Sequence, residues 1–215
     1  MIKICLLQDT SFTHADVLEL IKKESFRQWQ ENGIESSLLK LTPISFVEKT
    51  ANAVVLVAID DASDTLCGTT SCSIIRDKQG KRYAYNKYSA ITSKTKHSGI
   101  GSSLLRYEKQ LAIEERCSHI LSDTCVLAKW SVNWHKKNGF RIVGLESFTT
   151  NDYYSYIFRL QLKKPSFWSS PLYCRLRFVF SWIKTRLMCD SRGNKTLIGR
   201  LVIRIVTFLI SWNKG

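Results

Sequence analysis

The chain has 215 residues, of which 44% are hydrophobic, and its formal net charge is +14. This length and composition suit one folded domain with a sizeable core plus an appendage, and they exclude a disordered low-complexity protein and a repeat array. No run of about 18 uncharged apolar residues occurs, so the sequence predicts no clear membrane-spanning helix.

The positive charge is concentrated at one end of the chain. Residues 1–162 carry 21 Lys and Arg against 17 Asp and Glu, whereas residues 163–215 carry 11 Lys and Arg against the single acid Asp190. So basic a segment indicates an anionic partner, such as nucleic acid or an anionic bilayer, or else a solvated face. We therefore divide the chain into a domain at 1–162 and a basic tail at 163–215.

The seven cysteines are scattered, odd in number and without a C-x-x-C pair or a zinc spacing. This usage predicts reduced cysteines in a cytoplasmic protein and no metal site. The first residues, Met1 to Asp9, are too short and too soon acidic for a signal peptide.

The first half of the chain predicts a strand, two helices and three strands. Their ranges are 2–7, 13–31, 43–51, 53–59, 66–75 and 83–91. Thr13 and Asp16 have the spacing of a helix-capping pair, and Gly33 ends the first helix. The continuous β-branched run at 53–59 is typical of a strand buried on both faces, and Gly68 marks a bulge in the next strand.

The second half begins with a glycine-containing loop and alternates between helices and strands. The predicted helices cover 101–116 and 129–138, and the predicted strands cover 119–124, 141–148 and 153–162. The full order is β-α-α-β-β-β-α-β-α-β-β. This order predicts an α/β fold with one mixed central β-sheet flanked by helices.

The loop Lys96-His97-Ser98-Gly99-Ile100-Gly101 lies between a strand and a helix. The first turn of a helix presents unpaired N–H groups and favours negative charge, and glycines let the backbone approach a pyrophosphate closely. A lone G-x-G is more often a plain tight turn. A dinucleotide-binding fold would need a third glycine and a position near the start of the sheet, and neither is present.

Two motifs together resemble the GNAT superfamily of acyltransferases over about residues 1–162. Lys96-x-x-Gly99-x-Gly101 is similar to the family's coenzyme A loop, Gln/Arg-x-x-G-x-G/A, with Lys at the first position. His135-Lys136-Lys137-Asn138-Gly139-Phe140 is similar to the family's Tyr-x-x-x-Gly-Phe, with His135 in place of the Tyr. Ser131 and Ala128 stand where the family often has a small residue and an Asn.

The resemblance implies an N-acyltransferase, most simply an N-acetyltransferase, that uses acetyl-CoA or another acyl-CoA and a small primary amine. It implies that the loop binds the pyrophosphate and that the end of the preceding strand pairs with the pantetheine arm, where a strand N–H polarises the thioester carbonyl. The residues so implicated are Ile91, Thr92, Lys96, His97, Ser98, Gly99, Ile100, Gly101 and Ser102.

Two side chains are candidates for proton transfer. By position, His135 is the acid that protonates the leaving thiolate, since an ordinary His pKa of about 6.5 allows this at neutral pH. The alternative is a surface His without a role. Asp123, on the strand that flanks the acyl site, is a candidate general base, directly or through a water. The alternative is a strand-end Asp bonded to backbone.

The tail predicts two amphipathic helices. An apolar stripe recurs at three- and four-residue steps in the first of them: Leu172, Leu176, Val179, Phe180, Ile183 and Leu187. In the second, at 196–212, a narrow polar stripe interrupts an otherwise apolar helix. Such a tail, at 165–215, suits an anionic membrane surface, with the enzyme peripheral at the inner face of a membrane in an envelope or lipid pathway. Burial against the core or a protein partner is the alternative, and the wide apolar face argues against nucleic acid.

A second function stays open. The missing Tyr and Asn also suit a non-catalytic, GNAT-like binding module that is attached to a membrane or protein partner through its tail.

Overall fold

The computed structural model describes residues 1–25, 37–96, 98–147, 153–162, 171–189, 194–196 and 198–199. Several predicted features lie outside these residues: the end of the first helix with Gly33, His97, the connection at 151–152, the domain end at 163–165, the turn at 190–193 and most of the last helix.

The described elements follow the predicted order. They are β1 (Ile2–Leu6), α1 (His14–Ser25), α2 (Pro43–Thr50), β2 (Ala53–Asp60), β3 (Thr65–Arg76), β4 (Arg82–Ile91), α3 (Ile100–Glu114), β5 (His119–Cys125), α4 (Lys129–Lys137), β6 (Arg141–Ser147), β7 (Tyr154–Gln161) and α5 (Pro171–Met188). Short 3-10 helices at Leu7–Asp9, Ser37–Lys40 and Ser93–Thr95 connect some of them.

The seven strands form one sheet in the order β1-β2-β3-β4-β5-β7-β6. The β4–β5 pair is parallel, and the other pairs are antiparallel. The predicted mixed sheet flanked by helices is therefore confirmed.

The apolar run of β2 is buried on both faces because its side chains alternate between two layers. Val57 and Ile59 pack in the cluster that includes α1 and α2, whereas Leu56 and Ala58 pack in a cluster with α3. The helices α1 and α2 thus cover one face of the sheet and α3 covers the other. At the start of α1, the Thr13 amide donates to Asp16 (2.7 Å) and the Asp16 amide donates to Thr13 Oγ1 (3.3 Å), which confirms the capping pair.

Two irregularities bend the middle of the sheet. The β2–β3 register shifts where Ala58 pairs with Gly68 and Ile59 with Leu66, beside the predicted bulge at Gly68. The β3–β4 register shifts between Thr69 and Ser71, which places both Tyr88 and Ser89 opposite Thr70. Tyr88 has a φ of +54°, a conformation that costs energy for a bulky residue and that clusters at functional sites.

Helix α5 packs on the edge strand β6 through a mixed face, on which Cys174 is buried against Val143 and Ile157 and two hydroxyls bond the strand. Ser181 Oγ accepts a hydrogen bond from the Leu145 amide and donates to the Leu145 carbonyl, both at 2.9 Å, and Thr185 Oγ1 donates to the same carbonyl at 2.7 Å. The predicted apolar stripe points away from the sheet, since Leu172 is 63% exposed and Phe180 71% exposed. The alternative in which this stripe covers the core of the domain is therefore wrong for α5.

Across the part of the chain that the structure describes, no helix combines the length and the apolar character that a membrane crossing requires.

Candidate functional site

The predicted pyrophosphate loop ends at the N-terminus of α3. Gly99 is the N-cap residue with a φ of +85°, which glycine adopts readily. The Ser103 amide donates to the Gly99 carbonyl (3.0 Å) and begins the helical bonding. The amides of Ile100, Gly101 and Ser102 therefore precede the first intrahelical bond, and they form the donor set that an anion needs.

Gly101 is tightly packed, so that a side chain here would require its neighbours to move. A Cβ at this position would come within 2.8 Å of Ile91 Cδ1 and 3.0 Å of Trp134 Nε1. The first turn of α3 consequently lies directly against the end of β4 and against α4. Ile100 is 3% exposed and anchors this turn in the core.

Polar groups surround the loop. The side chains of Lys96 and Ser98 are exposed, and the Ser98 hydroxyl donates to the Thr95 carbonyl at 2.6 Å. Ser102 Oγ donates to Asn138 Oδ1 at 3.3 Å, which connects the turn to the C-terminus of α4. These positions leave the loop open to a diphosphate, whereas His97 lies outside the described residues.

Ile91 and Thr92 differ in what their backbones can bind. The Thr92 amide donates to the Cys67 carbonyl of β3 (2.9 Å), so it is not available to a ligand. Backbone groups alternate along a strand, so the Ile91 amide points the opposite way, toward β5. The predicted backbone contact to pantetheine therefore fits Ile91 and not the Thr92 amide.

The parallel strands β4 and β5 separate beyond their first pairs. Within these two fully described strands, the ladder consists of Ala84 with Ile120, Tyr85 with Leu121 and Asn86 with Ser122. Past Asn86, the edge of β4 that faces β5 is unpaired up to the loop. This gap is an extended opening beside the N-terminus of α3, in which an extended ligand can add to the strand by backbone hydrogen bonds.

Asp123 is half-buried and bonded to a side chain. The Tyr85 hydroxyl donates to Asp123 Oδ1 at 2.9 Å. Burial raises the pKa of Asp123, and the Tyr85 bond and the nearby Lys87 charge offset part of that rise. Asp123 is therefore neither free in solvent nor bonded to backbone alone.

His135 is buried, so it is not the surface residue of the alternative interpretation. It is 5% exposed, and its ring stacks on Phe158 at 4.4 Å and lies edge-on to Phe140 at 5.1 Å. Nδ1 lies 2.8 Å from the Ser131 carbonyl and Nε2 lies 3.0 Å from Ser122 Oγ.

Burial lowers the pKa of His135 to about 4. The ordinary pKa on which the acid role rests is therefore corrected, because the imidazole is neutral at pH 7. A carbonyl can only accept, so Nδ1 carries the proton of the neutral ring. Nε2 and Asn86 Oδ1 then compete for the single proton of the Ser122 hydroxyl, at 3.0 and 3.2 Å. The lowered pKa therefore argues against proton donation by an imidazolium.

The two predicted proton-transfer residues lie on opposite faces of β5. Ser122, the partner of His135, alternates with Asp123 along the strand, so their side chains point to opposite sides. The side-chain hydrogen bonds described for Asp123 and His135 share no partner. The structure therefore places both residues at the gap without bringing them together.

Sequence reasoning missed a buried polar cluster beside the gap. Glu108 on α3 is 1% exposed, and its carboxylate accepts from Asn86 Nδ2 (2.7 Å to each oxygen) and from Thr70 Oγ1 (2.8 Å). A signal was present, since Glu108 lies four residues after Leu104 and four before Ala112, inside the apolar stripe of its helix. An acid in such a stripe needs buried partners.

Two pockets lie outside this gap. One, of about 270 Å³, lies between α1 and the ends of β3 and β4 and is lined by Phe12, Asp16, Glu19, Leu20, Lys23, Glu24, Leu66 and Thr92. It borders the end of β4 at Thr92, and its three carboxylates against one lysine favour a cation. The other lies between β6 and α5 and includes Glu146 and Lys184.

The residues around the gap fit acyl-CoA. Gly101 allows close approach, three helix amides face outward and the β4 edge is unpaired. Among the described residues, no group of three His, Cys, Asp or Glu side chains is arranged to hold a metal ion.

Comparison with known proteins agrees with this geometry. A family model described as the acetyltransferase (GNAT) family matches residues 15–140, more than half of the chain. No curated protein matches the chain significantly in sequence.

Solved structures resemble the fold. A chain of the NatC complex bound to Gag peptide and CoA is 18% identical, with 75% of this chain and 99% of that chain covered and a TM-score of 0.57. An N-acetyltransferase from Staphylococcus aureus Mu50 is 17% identical over 75% and 98%, with a TM-score of 0.54. An acetyltransferase of the GNAT family from the same organism is 16% identical over 76% and 100%, with a TM-score of 0.56. At these identities the likeness shows the fold.

Proposed function

The chain belongs to the acetyltransferase (GNAT) family, and we propose that it transfers an acetyl group from acetyl-CoA to the primary amine of a small molecule. One observation carries the proposal: the outward amides of Ile100 to Ser102 lie beside the unpaired edge of β4. These two features form one continuous surface for a diphosphate and an extended arm.

Binding and orientation are the main work of these residues. The first turn of α3 and Lys96 hold the diphosphate, and the Ile91 amide and its neighbours in the gap align the pantetheine arm. Acetyl-CoA supplies the activated acetyl group. Orientation of two reactants in one site can supply several orders of magnitude in rate.

Two further residues act at the gap. We propose that His135, as a neutral imidazole, fixes Ser122 through Nε2 and keeps this end of the gap dry. Asp123 on the opposite face is held by Tyr85 and presents its second carboxylate oxygen to an approaching amine. The acidic pocket next to Thr92 supports attraction of a cationic acceptor.

The test uses the full chain with acetyl-CoA and a panel of amino sugars and amino acid derivatives. Thiol release and the mass of the N-acetylated product report turnover, and calorimetry reports coenzyme A binding. Gly101→Glu should abolish binding, because its side chain would collide with Ile91 and Trp134 and place a carboxylate among the outward amides.

Lys96→Ala and Lys78→Ala form a matched pair of exposed lysines, in the loop and in the distant β3–β4 turn respectively. Lys96→Ala should weaken coenzyme A binding several-fold and Lys78→Ala should leave it unchanged. Absence of any binding by the wild-type chain would overturn the proposal. Binding without turnover on every amine would favour the non-catalytic module.

We also propose that the tail places the enzyme on an anionic bilayer at the cytoplasmic face of a membrane. The outward stripe of α5 is apolar, and four exposed basic residues lie on the same helix: Arg175, Arg177, Lys184 and Arg186. An apolar face flanked by long cationic side chains suits a headgroup interface. An envelope or lipid pathway would supply an amine at that surface.

Sedimentation with vesicles of anionic or neutral phospholipid tests this contact. The full chain should bind anionic vesicles, and Phe180→Glu should reduce binding at least tenfold. Ile44→Glu is the matched control, since Ile44 is 75% exposed but lies on α2. If the full chain ignores anionic vesicles and self-associates instead, a protein partner covers the stripe.

A further inference from the structure

A chain of hydroxyl groups connects the buried Glu108 carboxylate to the surface. Thr70 Oγ1 donates to Glu108 Oε1 at 2.8 Å and lies 2.9 Å from Ser89 Oγ. Thr70 is buried, whereas Ser89 is exposed. The Ser89 hydroxyl also donates to Asn86 Oδ1 at 3.1 Å, so it must turn toward Thr70 to pass its proton. Both distances along the path are those of direct hydrogen bonds, so no intervening water is needed.

Ser89 lies at the place where the reaction is expected. It belongs to the bulge of β4, beyond the last pair with β5, and therefore lies along the gap. The Ser25 hydroxyl donates to the Ser89 carbonyl at 2.7 Å and holds the bulge in position. The strained φ of the neighbouring Tyr88 is consistent with a conformation kept for function.

The buried carboxylate of Glu108, at the inner end of this path, destabilises the fold, and a function would explain why it is there. Glu108 has no cation among its hydrogen-bond partners, which are the neutral groups of Thr70 and Asn86. Burying a carboxylate without a cation is expensive, and an apolar residue at this position of the stripe would avoid the cost. Burial raises the pKa of Glu108 to about 7, which suits proton exchange at neutral pH.

We propose that Glu108 is the terminal proton acceptor of the acyl transfer and that Thr70 and Ser89 conduct the proton to it. This inference rests on the proposed function. Ser89 is the member that contacts the amine, and Glu108 acts through it.

The amine nitrogen forms its bond to the acyl carbon while the carbon–sulfur bond breaks, and the electron pair leaves with the thiolate. The nitrogen's proton passes to Ser89 Oγ, the Ser89 proton to Thr70 Oγ1, and the Thr70 proton to Glu108 Oε1. Glu108 ends as a neutral acid and returns the proton to solvent along the same path, where the thiolate is free to take one up.

Other titratable groups surround this carboxyl. From β3, the Cys72 thiol is close enough for Glu108 to help raise its pKa, with Cys117 beyond it. From α4, His135 reaches the cluster through Ser122, whose hydroxyl lies 3.2 Å from Asn86 Oδ1. On the other face of β4 and β5 lie Tyr85 and Asp123, bonded to each other. Of these, His135 has a pKa of about 4 and Glu108 a pKa of about 7, so their titrations can be told apart in a pH profile.

The first experiment measures kcat against pH with an acceptor amine whose own pKa lies below 6. The wild-type rate should rise with a midpoint near 7. Thr70→Val should lower kcat tenfold to a thousandfold with little change in KM and should abolish the rise, while Thr70→Ser restores both. A Thr70→Val enzyme with the wild-type profile would overturn the proposal.

Ser89→Ala keeps the test decisive if Thr70→Val does not fold, since Ser89 is exposed. It should lower kcat by a similar factor, and Ser63→Ala, an exposed serine in the β2–β3 turn, should not. Equal rates for both serine variants would refute the path.

The second experiment needs no turnover. Infrared difference spectra of the free protein should show a carboxylic acid band that titrates near pH 7 and is missing in Glu108→Gln. A Glu108 that is already ionised at pH 5 contradicts the inference. A protein that shows this band but acetylates no amine disproves the proposed function instead, so the two failures are distinguishable.

Discussion

The helices α3 and α5 carry similar apolar stripes and use them in opposite ways. In α3 the stripe is buried, with Leu104 3% and Leu105 2% exposed. In α5 the stripe faces outward, with Phe180 71% exposed, while Ser181 and Thr185 face the sheet. The periodicity therefore predicts that each segment is a helix, and the neighbouring element decides which face is buried.

The surface that each helix covers explains the difference. Helix α3 lies over a sheet face, where apolar side chains project outward. Helix α5 lies along β6, the edge strand, whose backbone N–H and C=O groups need partners. The hydroxyls of Ser181 and Thr185 supply those partners at Leu145, so the face that carries them turns inward together with the buried Cys174.

The largest expected difference in stability between the two helices comes from replacing one leucine in each stripe by alanine. Leu105→Ala in α3 should lower the free energy of unfolding by about 2 to 5 kcal/mol, because it leaves a cavity in the core. Leu176→Ala in α5 should change it by less than about 0.5 kcal/mol, since that side chain is 49% exposed. Urea unfolding of both variants measures the difference.

The contrast between the two helices is wrong if both substitutions lower the free energy of unfolding by the same amount. An equal loss of unfolding free energy would mean that another surface covers the α5 stripe in solution. If that surface belongs to a second copy of the chain, the loss should depend on protein concentration.

This contrast shows how far sequence reasoning reaches. The order of elements, the buried strand β2 and the Thr13–Asp16 cap were predictable, because each depends on local periodicity or spacing. The orientation of α5 was not, because it depends on β6 being an edge strand, which only the sheet order reveals.

The same limit applies to the candidate site. Gly99 and Gly101 were predictable from the loop motif. The burial of His135 and its pairing with Ser122 depend on packing between α4 and β5, so the sequence suggested an ordinary pKa where the structure has a lowered one. Glu108 could have been singled out from the sequence, because it is an acidic residue within the apolar stripe of α3.

A second effect of similar size is the pH dependence of stability, which we expect from Glu108 on α3 and not from the exposed charges of α5. The pKa of Glu108 rises from 4.5 to about 7 on folding, so the folded state binds its proton more tightly than the unfolded state does. The stabilisation is full below pH 4.5 and is lost as the pH rises through 7, a change of about 3 kcal/mol.

The difference between wild type and Glu108→Gln isolates this change in urea unfolding at pH 4.5, 6 and 8. Subtraction is needed because burial lowers the pKa of His135, which makes stability rise with pH between about 4 and 6.5. A difference curve that is flat across the series would show that Glu108 is not buried as a neutral acid. Arg175→Gln on α5, a charge change at an exposed residue, should give such a flat curve.

The smallest effect tests the polar face of α5 directly. Ser181→Ala removes a hydroxyl that bonds both the amide and the carbonyl of Leu145, and it should cost about 1 to 2 kcal/mol. Val179→Ala removes two carbons from a side chain that is 48% exposed and should cost less. Hydrogen exchange at the Leu145 amide measures the local effect, which should accelerate in Ser181→Ala alone. If Val179→Ala is the more harmful change, the outward stripe and not the hydroxyl face holds α5 to the domain, and the contrast with α3 disappears.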